Sequence, residues 1–259
     1  MSNIVLTNDD GPSSKGLCEL AAGLSAISEL AVVVPDGQRS ATGKALTFNR
    51  PLRIHHHRAK DGYRLITHDG TPADSIIIAR AHLEKIDLFI SGINSGANIG
   101  YQSMYTSGTV GAVLEAAMNG HPGIAVSKVA SPDEWFNNST SEVGYSAEVR
   151  VVVDIANMIL ERGLPSGVDA LNLNFPSRTL ENSRMVVTSP TRLRMTNSLE
   201  ERIDPNGSPY FWIRGEENDS PRGTDANEVL ANGNISISPM LIEAVGPKEL
   251  QAVIDFMNL

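Results

Sequence analysis

Leu30-Ala31-Val32-Val33-Val34, closed by Pro35-Asp36-Gly37, is the stretch that decides the fold. Five consecutive apolar residues bounded by turn formers make a short strand with both faces buried. Just before it, Leu17, Leu20, Ala21 and Leu24 recur at i, i+3, i+4 and i+7, with Ser13 and Ser14 available as caps. That spacing predicts an amphipathic helix. Earlier still, Ile4-Val5-Leu6 is another apolar run that stops at polar residues. Strand, helix and a strand apolar throughout describe a parallel βαβ unit covered on both sides.

The same alternation continues outward. A polar loop over 36–50 precedes two segments, 52–57 and 63–67, that pair as a hairpin across Lys60-Asp61-Gly62. A helix over 73–83 puts Ile76, Ile77, Arg80 and Leu83 on one side, and a strand over 87–91 leads into a polar loop from Gly92 to Ser107. Val110, Val113, Leu114 and Ala117 mark the next helix, stopped by Asn119-Gly120. A strand over 123–127, a long helix carrying Val149, Val152, Val153, Ala156, Ile159 and Leu160 up to Gly163, and a strand over 171–175 complete the series. Residues 1–178 are therefore expected to form an α/β core, a doubly wound, mainly parallel sheet of three layers, Rossmann-like. Residues 179–259 read differently. Val186-Val187, Tyr210–Ile213 and Ile235–Ile237 are β-like runs among turns such as Asp204-Pro205-Asn206-Gly207, and 249–257 suits a closing helix. The expectation is an α+β extension, with a hairpin and a C-terminal helix, that pairs with another copy of the chain.

Composition narrows the class. The 259 residues carry 21 Lys and Arg against 30 Asp and Glu, a net charge of −9, with 41% hydrophobic residues. That much apolar content at this length supports a sizeable core and excludes intrinsic disorder. The single cysteine, Cys18, excludes an internal disulfide or a cysteine zinc cluster and reads as a small core residue. The acidic balance speaks against duplex nucleic acid or an anionic membrane as partner. No apolar run is long enough to span a bilayer and no basic leader opens the chain, so a soluble, cytoplasmic protein is expected. A small phosphorylated substrate remains compatible, because a metal ion or a helix N-terminus supplies local positive potential.

In open α/β sheets, ligands bind beyond the carboxyl ends of the strands. Three unusual loops fall there: Thr7-Asn8-Asp9-Asp10-Gly11, the loop from Pro35-Asp36 to Ser40, and Ser91-Gly92-Ile93-Asn94-Ser95-Gly96-Ala97-Asn98. Adjacent Asp9 and Asp10 repel, and a cation beside them relieves the repulsion; otherwise one caps the next helix and the other is solvated. With Ser40 and Asn94 they make a hard oxygen set suited to Mg²⁺, Mn²⁺ or Ca²⁺, although alone Ser40 is a turn residue and Asn94 a loop hydrogen-bonder. Ser107-Gly108-Thr109 runs into a helix start, where backbone N–H groups favour an anion, or where a hydroxyl simply caps. His55-His56-His57 resembles a metal tract but sits in a strand, where neighbouring side chains point to opposite faces. The dinucleotide, P-loop and nucleophile-elbow glycine motifs are all missing.

Taken in order, Thr7-Asn8-Asp9-Asp10-Gly11, Pro35-Asp36 with Arg39-Ser40, Gly70-Thr71-Pro72-Ala73-Asp74, Ser91-Gly92-Ile93-Asn94 with Gly96 and Asn98, and Ser107-Gly108-Thr109-Val110 resemble the SurE family of survival-protein nucleotidases. So do Leu171-Asn172-Leu173-Asn174, Gly223-Thr224-Asp225 and Ile235-Ser236-Ile237-Ser238-Pro239. The resemblance implies a phosphomonoesterase that hydrolyses nucleoside 5′- and 3′-monophosphates with water activated at one divalent ion per subunit, Mg²⁺ or Mn²⁺. It assigns the ion to Asp9, Asp10, Ser40 and Asn94, and the catalytic carboxylates to Asp9 and Asp10. Asn8, Asn98, Ser107, Gly108 and Thr109 match positions on the phosphate side. It also implies a homodimer or homotetramer that exchanges parts of the C-terminal half. Two rival expectations are a broad acid phosphatase or exopolyphosphatase and a non-catalytic nucleotide sensor. The chain departs from the family at Ser75, where a cysteine is common, and over 99–105 and 191–224, which would frame the nucleoside.

Overall fold

The both-sided burial that Leu30–Val34 demands is met by β2 (Glu29–Pro35), which lies inside a nine-stranded sheet ordered β3-β4-β2-β1-β5-β6-β7-β11-β8. The computed structural model describes residues 2–58, 62–130, 144–179, 182–192, 195–243 and 245–258. β1 (Asn3–Thr7), β2, β4 (Arg64–His68), β5 (Leu88–Ser95), β6 (Gly123–Lys128) and β7 (Ala170–Phe175) run parallel. β3 (Ile54–Arg58) is antiparallel to β4 at one edge. At the other, β11 (Ile235–Met240) is antiparallel to β7 and parallel to β8 (Met185–Val187).

Alternation along each strand divides the core between two faces. Leu6, Val32, Val34, Ile90, Ile124 and Phe175 meet Leu17, Leu20 and Leu24 of α1 (Lys15–Ser25) and Val152, Ile155 and Ile159 of α5 (Ser146–Arg162). Val5, Val33, Ile66 and Phe89 meet Ile76 and Ala79 of α2 (Pro72–His82) and Ala112 and Ala116 of α4 (Gly108–Met118). Ser14 caps α1 by accepting the Leu17 N–H, worth about 1 kcal/mol, whereas each buried leucine contributes about 1.5–3 kcal/mol. Packing, more than capping, holds α1 in place.

Several expectations change. Cys18 is exposed, because it lies off the α1 stripe of Leu17, Leu20, Ala21 and Leu24. On α2, Ile77 is 39% exposed while Ile76, Ile78 and Ala79 are buried: the helix is wedged between sheet, α4 and the chain over 45–47, so its buried arc is not the one periodicity picked. The stretch read as a polar loop from Gly92 contains the end of β5 and a short helix, α3 (Gly100–Thr106), pinned by buried Ile93, Ile99 and Met104. Of the hairpin turn, Lys60 and Asp61 lie outside the described residues, and Gly62 has φ +86°. β7 does not end the sheet, since β11 and β8, from beyond residue 178, extend it.

What stands apart from the sheet is the antiparallel pair β9 (Met195–Ile203) and β10 (Pro209–Glu217), together with α6 (Pro247–Met257). Asp204 Oδ1 accepts the Asn206 and Ser208 N–H groups at 2.8 Å to turn the hairpin. Leu199, Ile203, Phe211, Trp212 and Ile213 are exposed on it, and α6 buries no residue.

Candidate functional site

The Asp9-Asp10 loop is shaped from within. Asn8, fully buried, donates from Nδ2 to the Gly11 carbonyl and accepts the Gly11 N–H at Oδ1, both at 3.0 Å. Gly11 takes φ +92°, a conformation costly for any residue with a Cβ. This ring turns two consecutive carboxylates out of the end of β1. The Asn8 amide is thereby spent on the loop.

Asp9 is buried against the start of α4. Thr109 Oγ1 donates to Asp9 Oδ1 at 2.6 Å, and the Thr109 and Gly108 N–H groups bear on the same carboxylate. Burial raises the Asp9 pKa and these donors work against it. For Asp10, burial first and the Asp9 charge second push the pKa up to about 6, against the opposing Ser95 N–H, which donates to Oδ2 at 3.4 Å. Neither carboxylate has an ion-pair partner among the described residues. The nearby Arg39 guanidinium is turned away, onto Asp36 at 2.8 Å and the Gly70 carbonyl at 3.2 Å.

The other two oxygen donors are delivered by backbone contacts one residue away. The Arg39 N–H donates to the Asp9 carbonyl at 2.7 Å, which brings the exposed Ser40 to the rim. Ser95, tied to Asp10, brings Asn94; its Nδ2 donates to the Gly96 carbonyl at 2.6 Å, leaving Oδ1 as an acceptor. Ser40 Oγ accepts from Gln38 Nε2 at 3.0 Å and keeps a further lone pair. No cluster of three or more His, Cys, Asp or Glu suited to a metal occurs among the described residues. Any ion here would rest on two carboxylates completed by neutral oxygens. Two adjacent, mutually repelling carboxylates, Asp9 buried and Asp10 half-buried, without a counter-charge among the described residues fit a hard divalent cation.

On the phosphate side, Ser107 Oγ accepts the Val110 N–H at 3.1 Å as the cap of α4, so its hydroxyl is engaged, as is that of Thr109. Gly108 is where α4 touches the acid loop: a Cβ there would lie 2.9 Å from Asp9 Cβ. Asn98 is locked. Its Nδ2 donates to Ser127 Oγ at 2.7 Å, its N–H to Asn174 Oδ1 at 2.9 Å, and its carbonyl accepts from Asn172 Nδ2 at 2.9 Å. Ser127, Asn172 and Asn174 thus position the loop, a role the residue-by-residue reading did not assign. Asparagines alternating with leucines in a strand near-apolar elsewhere were the available signal. His55, His56 and His57 are exposed on β3, away from these loops.

The loop after Asn98 is anchored from far along the chain. Asp225, buried, accepts the Gly100 N–H at 2.7 Å, the Thr191 N–H and hydroxyl at 2.8 and 2.9 Å, and the Ala226 N–H at 2.7 Å. The Tyr101 N–H donates to the Thr191 carbonyl at 3.0 Å.

The family model described as survival protein SurE matches residues 4–198. A 5′-nucleotidase SurE of Methanothrix thermoacetophila is 37% identical over 265 residues, covering all of both chains. One from Archaeoglobus fulgidus is 41% identical over 253 residues, covering 96% of this chain and 95% of its own. The crystal structure of the SurE protein from Aquifex aeolicus superposes with a TM-score of 0.80 at 31% identity, covering 98% and 99% of the two chains.

Proposed function

The chain belongs to the survival protein SurE family, and from that premise we propose that it is a metal-dependent nucleotidase, a phosphoric monoester hydrolase acting on nucleoside 5′- and 3′-monophosphates. The observation that carries the proposal is the Asp9-Asp10 pair, Asp9 buried against the N-terminus of α4 and Asp10 half-buried beside it, with no counter-charge among the described residues.

Asp9, Asp10, Ser40 Oγ and Asn94 Oδ1 are the atoms that would hold a divalent ion, Mg²⁺ or Mn²⁺, one to a subunit. Such an ion supplies positive charge to a phosphoryl oxygen and makes water a stronger acid. Asp9, oriented by Thr109, would take the proton of the attacking water. The positive end of the α4 dipole, whose Gly108 and Thr109 N–H groups bear on Asp9, would favour negative charge on phosphoryl oxygens held beside it. Asn98, locked by Ser127 of β6 and Asn174 of β7, would border the same space.

Phosphate release from AMP and GMP with Mg²⁺ or Mn²⁺ tests this. Asp9→Asn should lower the rate by about a hundredfold or more. An unchanged rate would refute the assignment.

The proposal extends to assembly as a homodimer or homotetramer. The exposed apolar residues of β9, β10 and α6 have nothing to pack on within the described chain and suit a second copy. Light scattering on full-length protein and on Trp212→Asp with Phe211→Asp should show oligomer and smaller species respectively. A monomeric full-length chain would overturn this part.

A further inference from the structure

The helix α3 holds two tyrosines where the core has no use for them. Ile99 and Met104 point inward and are buried, whereas Tyr101 and Tyr105 are 41% and 69% exposed. Four residues apart, they meet on one face, ring centroids 6.1 Å apart and planes inclined by 20°. A seven-residue helix has little stability of its own, yet this one is held firmly at both ends. Asp225 and Thr191 fix Gly100 and Tyr101, and the Gly43 N–H donates to the Thr106 carbonyl at 2.8 Å. The helix ends at Ser107, and the next two residues adjoin Asp9. An exposed aromatic face is therefore fixed two residues from the phosphate side of the site.

We propose that Tyr101 and Tyr105 form a stacking platform for the nucleobase, with the open face of Tyr105 against the base. This rests on the nucleotidase reading and names how that substrate would be told from other phosphomonoesters. The inner ring faces are already taken up by one another, so the outer face of Tyr105 is the one free for a flat π-system. Stacking on an aromatic side chain tolerates any base but gives nothing to a sugar phosphate that lacks one. The base is favoured over a second protein copy as occupant because α3 runs through Ser107 directly into the residues that hold Asp9, and is an element separate from β9, β10 and α6.

The test compares wild type, Tyr105→Ala, Tyr101→Ala with Tyr105→Ala, and Tyr105→Phe on AMP and on ribose 5-phosphate. The alanine variants should lose about tenfold in kcat/KM for AMP, through KM, with ribose 5-phosphate unchanged and the phenylalanine variant close to wild type. Equal losses on both substrates, or an unchanged KM for AMP, would overturn the platform. So would a change of oligomeric state accompanying equal losses, since the rings would then cover a subunit contact. AMP binding to Asp9→Asn protein, measured by calorimetry, reads the platform without turnover. Weakening of about tenfold on adding Tyr105→Ala supports it and equal affinity overturns it. Failure of wild type to hydrolyse AMP refutes the nucleotidase reading separately.

Discussion

Gly108→Ala is the sharpest perturbation of the site, because one methyl group enters where α4, α2 and the acid loop converge. Its Cβ would lie 2.9 Å from Asp9 Cβ, 3.0 Å from Pro72 Cγ and 3.0 Å from Thr42 Oγ1. Ordinary carbon contacts are about 3.5–4.0 Å, so the neighbours must yield by about half an ångström or more. None can swing aside: Asp9 hangs on the end of β1, Pro72 is a ring in the first turn of α2, and Thr42 Oγ1 donates to the Arg39 carbonyl at 2.9 Å. Overpacking of this kind costs about 1–3 kcal/mol. The movement also stretches the 2.6 Å bond from Thr109 to Asp9. Misplacement approaching 1 Å costs about a hundredfold in rate, so kcat/KM for AMP should fall between about tenfold and a hundredfold. Gly120→Ala is the control. Gly120 has φ +78° and nothing within 4 Å, so alanine there strains the backbone by about 1–2 kcal/mol without touching the site. Urea midpoints and steady-state kinetics on both variants decide the matter. Wild-type kcat/KM in Gly108→Ala, or an equal loss in Gly120→Ala, would refute the convergence.

His68 makes stability depend on pH. Its Nδ1 accepts the Gly70 N–H, so Nε2 donates to Ser75 Oγ at 2.7 Å, and burial, opposed by the charges of Asp74, Asp36 and Asp69, lowers its pKa to about 4. The unfolded chain takes up a proton near pH 6.5, so this contribution is complete above that pH. It is lost as pH falls towards 4, by about 3 kcal/mol at 1.4 kcal/mol per pH unit. Urea midpoints of wild type should drop over that window more steeply than those of His68→Gln, and parallel profiles would count against the assignment. Asp225→Ala strands the four donors it satisfies, which should speed amide exchange at Gly100 and Tyr101 and cost about 3 kcal/mol or more. Protected amides at those two positions would show that the clamp is idle. Adding Mg²⁺ or Mn²⁺ to chelator-treated protein at a hundredfold excess over Kd should raise stability by about 2.7 kcal/mol, and Asp10→Asn should abolish the rise. A rise that survives Asp10→Asn would place the ion elsewhere.

The parallel core was legible because its strands are apolar throughout and its helices carry clean stripes, as at Leu17, Leu20, Ala21 and Leu24. α3 was not, since Ile99 and Met104 are single apolar residues amid polar ones, too few to show a period, and burial comes from packing across the fold. Cys18 and Ile77 show the same limit from the other side: composition marks a residue as apolar, but neighbours decide which arc of a helix is covered. At the candidate site, Asp9, Asp10 and Ser40 follow strands and Asn94 lies at the end of β5, which is what put them forward from the sequence. That the Thr109 hydroxyl holds Asp9 was hidden, because a hydrogen-bond partner 100 residues away leaves no local pattern. Asp225 was quoted only as part of a motif, and its grip on Gly100 spans 125 residues.

That long span orders events in time. A ribosome extends the chain at about 5–20 residues per second, so about 6–25 s pass between synthesis of Gly100 and synthesis of the acid that fixes it. Over that interval the residues of α4 are made, while the start of α3 still waits for its anchor. A fragment ending before Asp225 would own the carboxylates yet lack the hold on the helix beside them. Completion of the chain is thereby coupled to the fixing of α3.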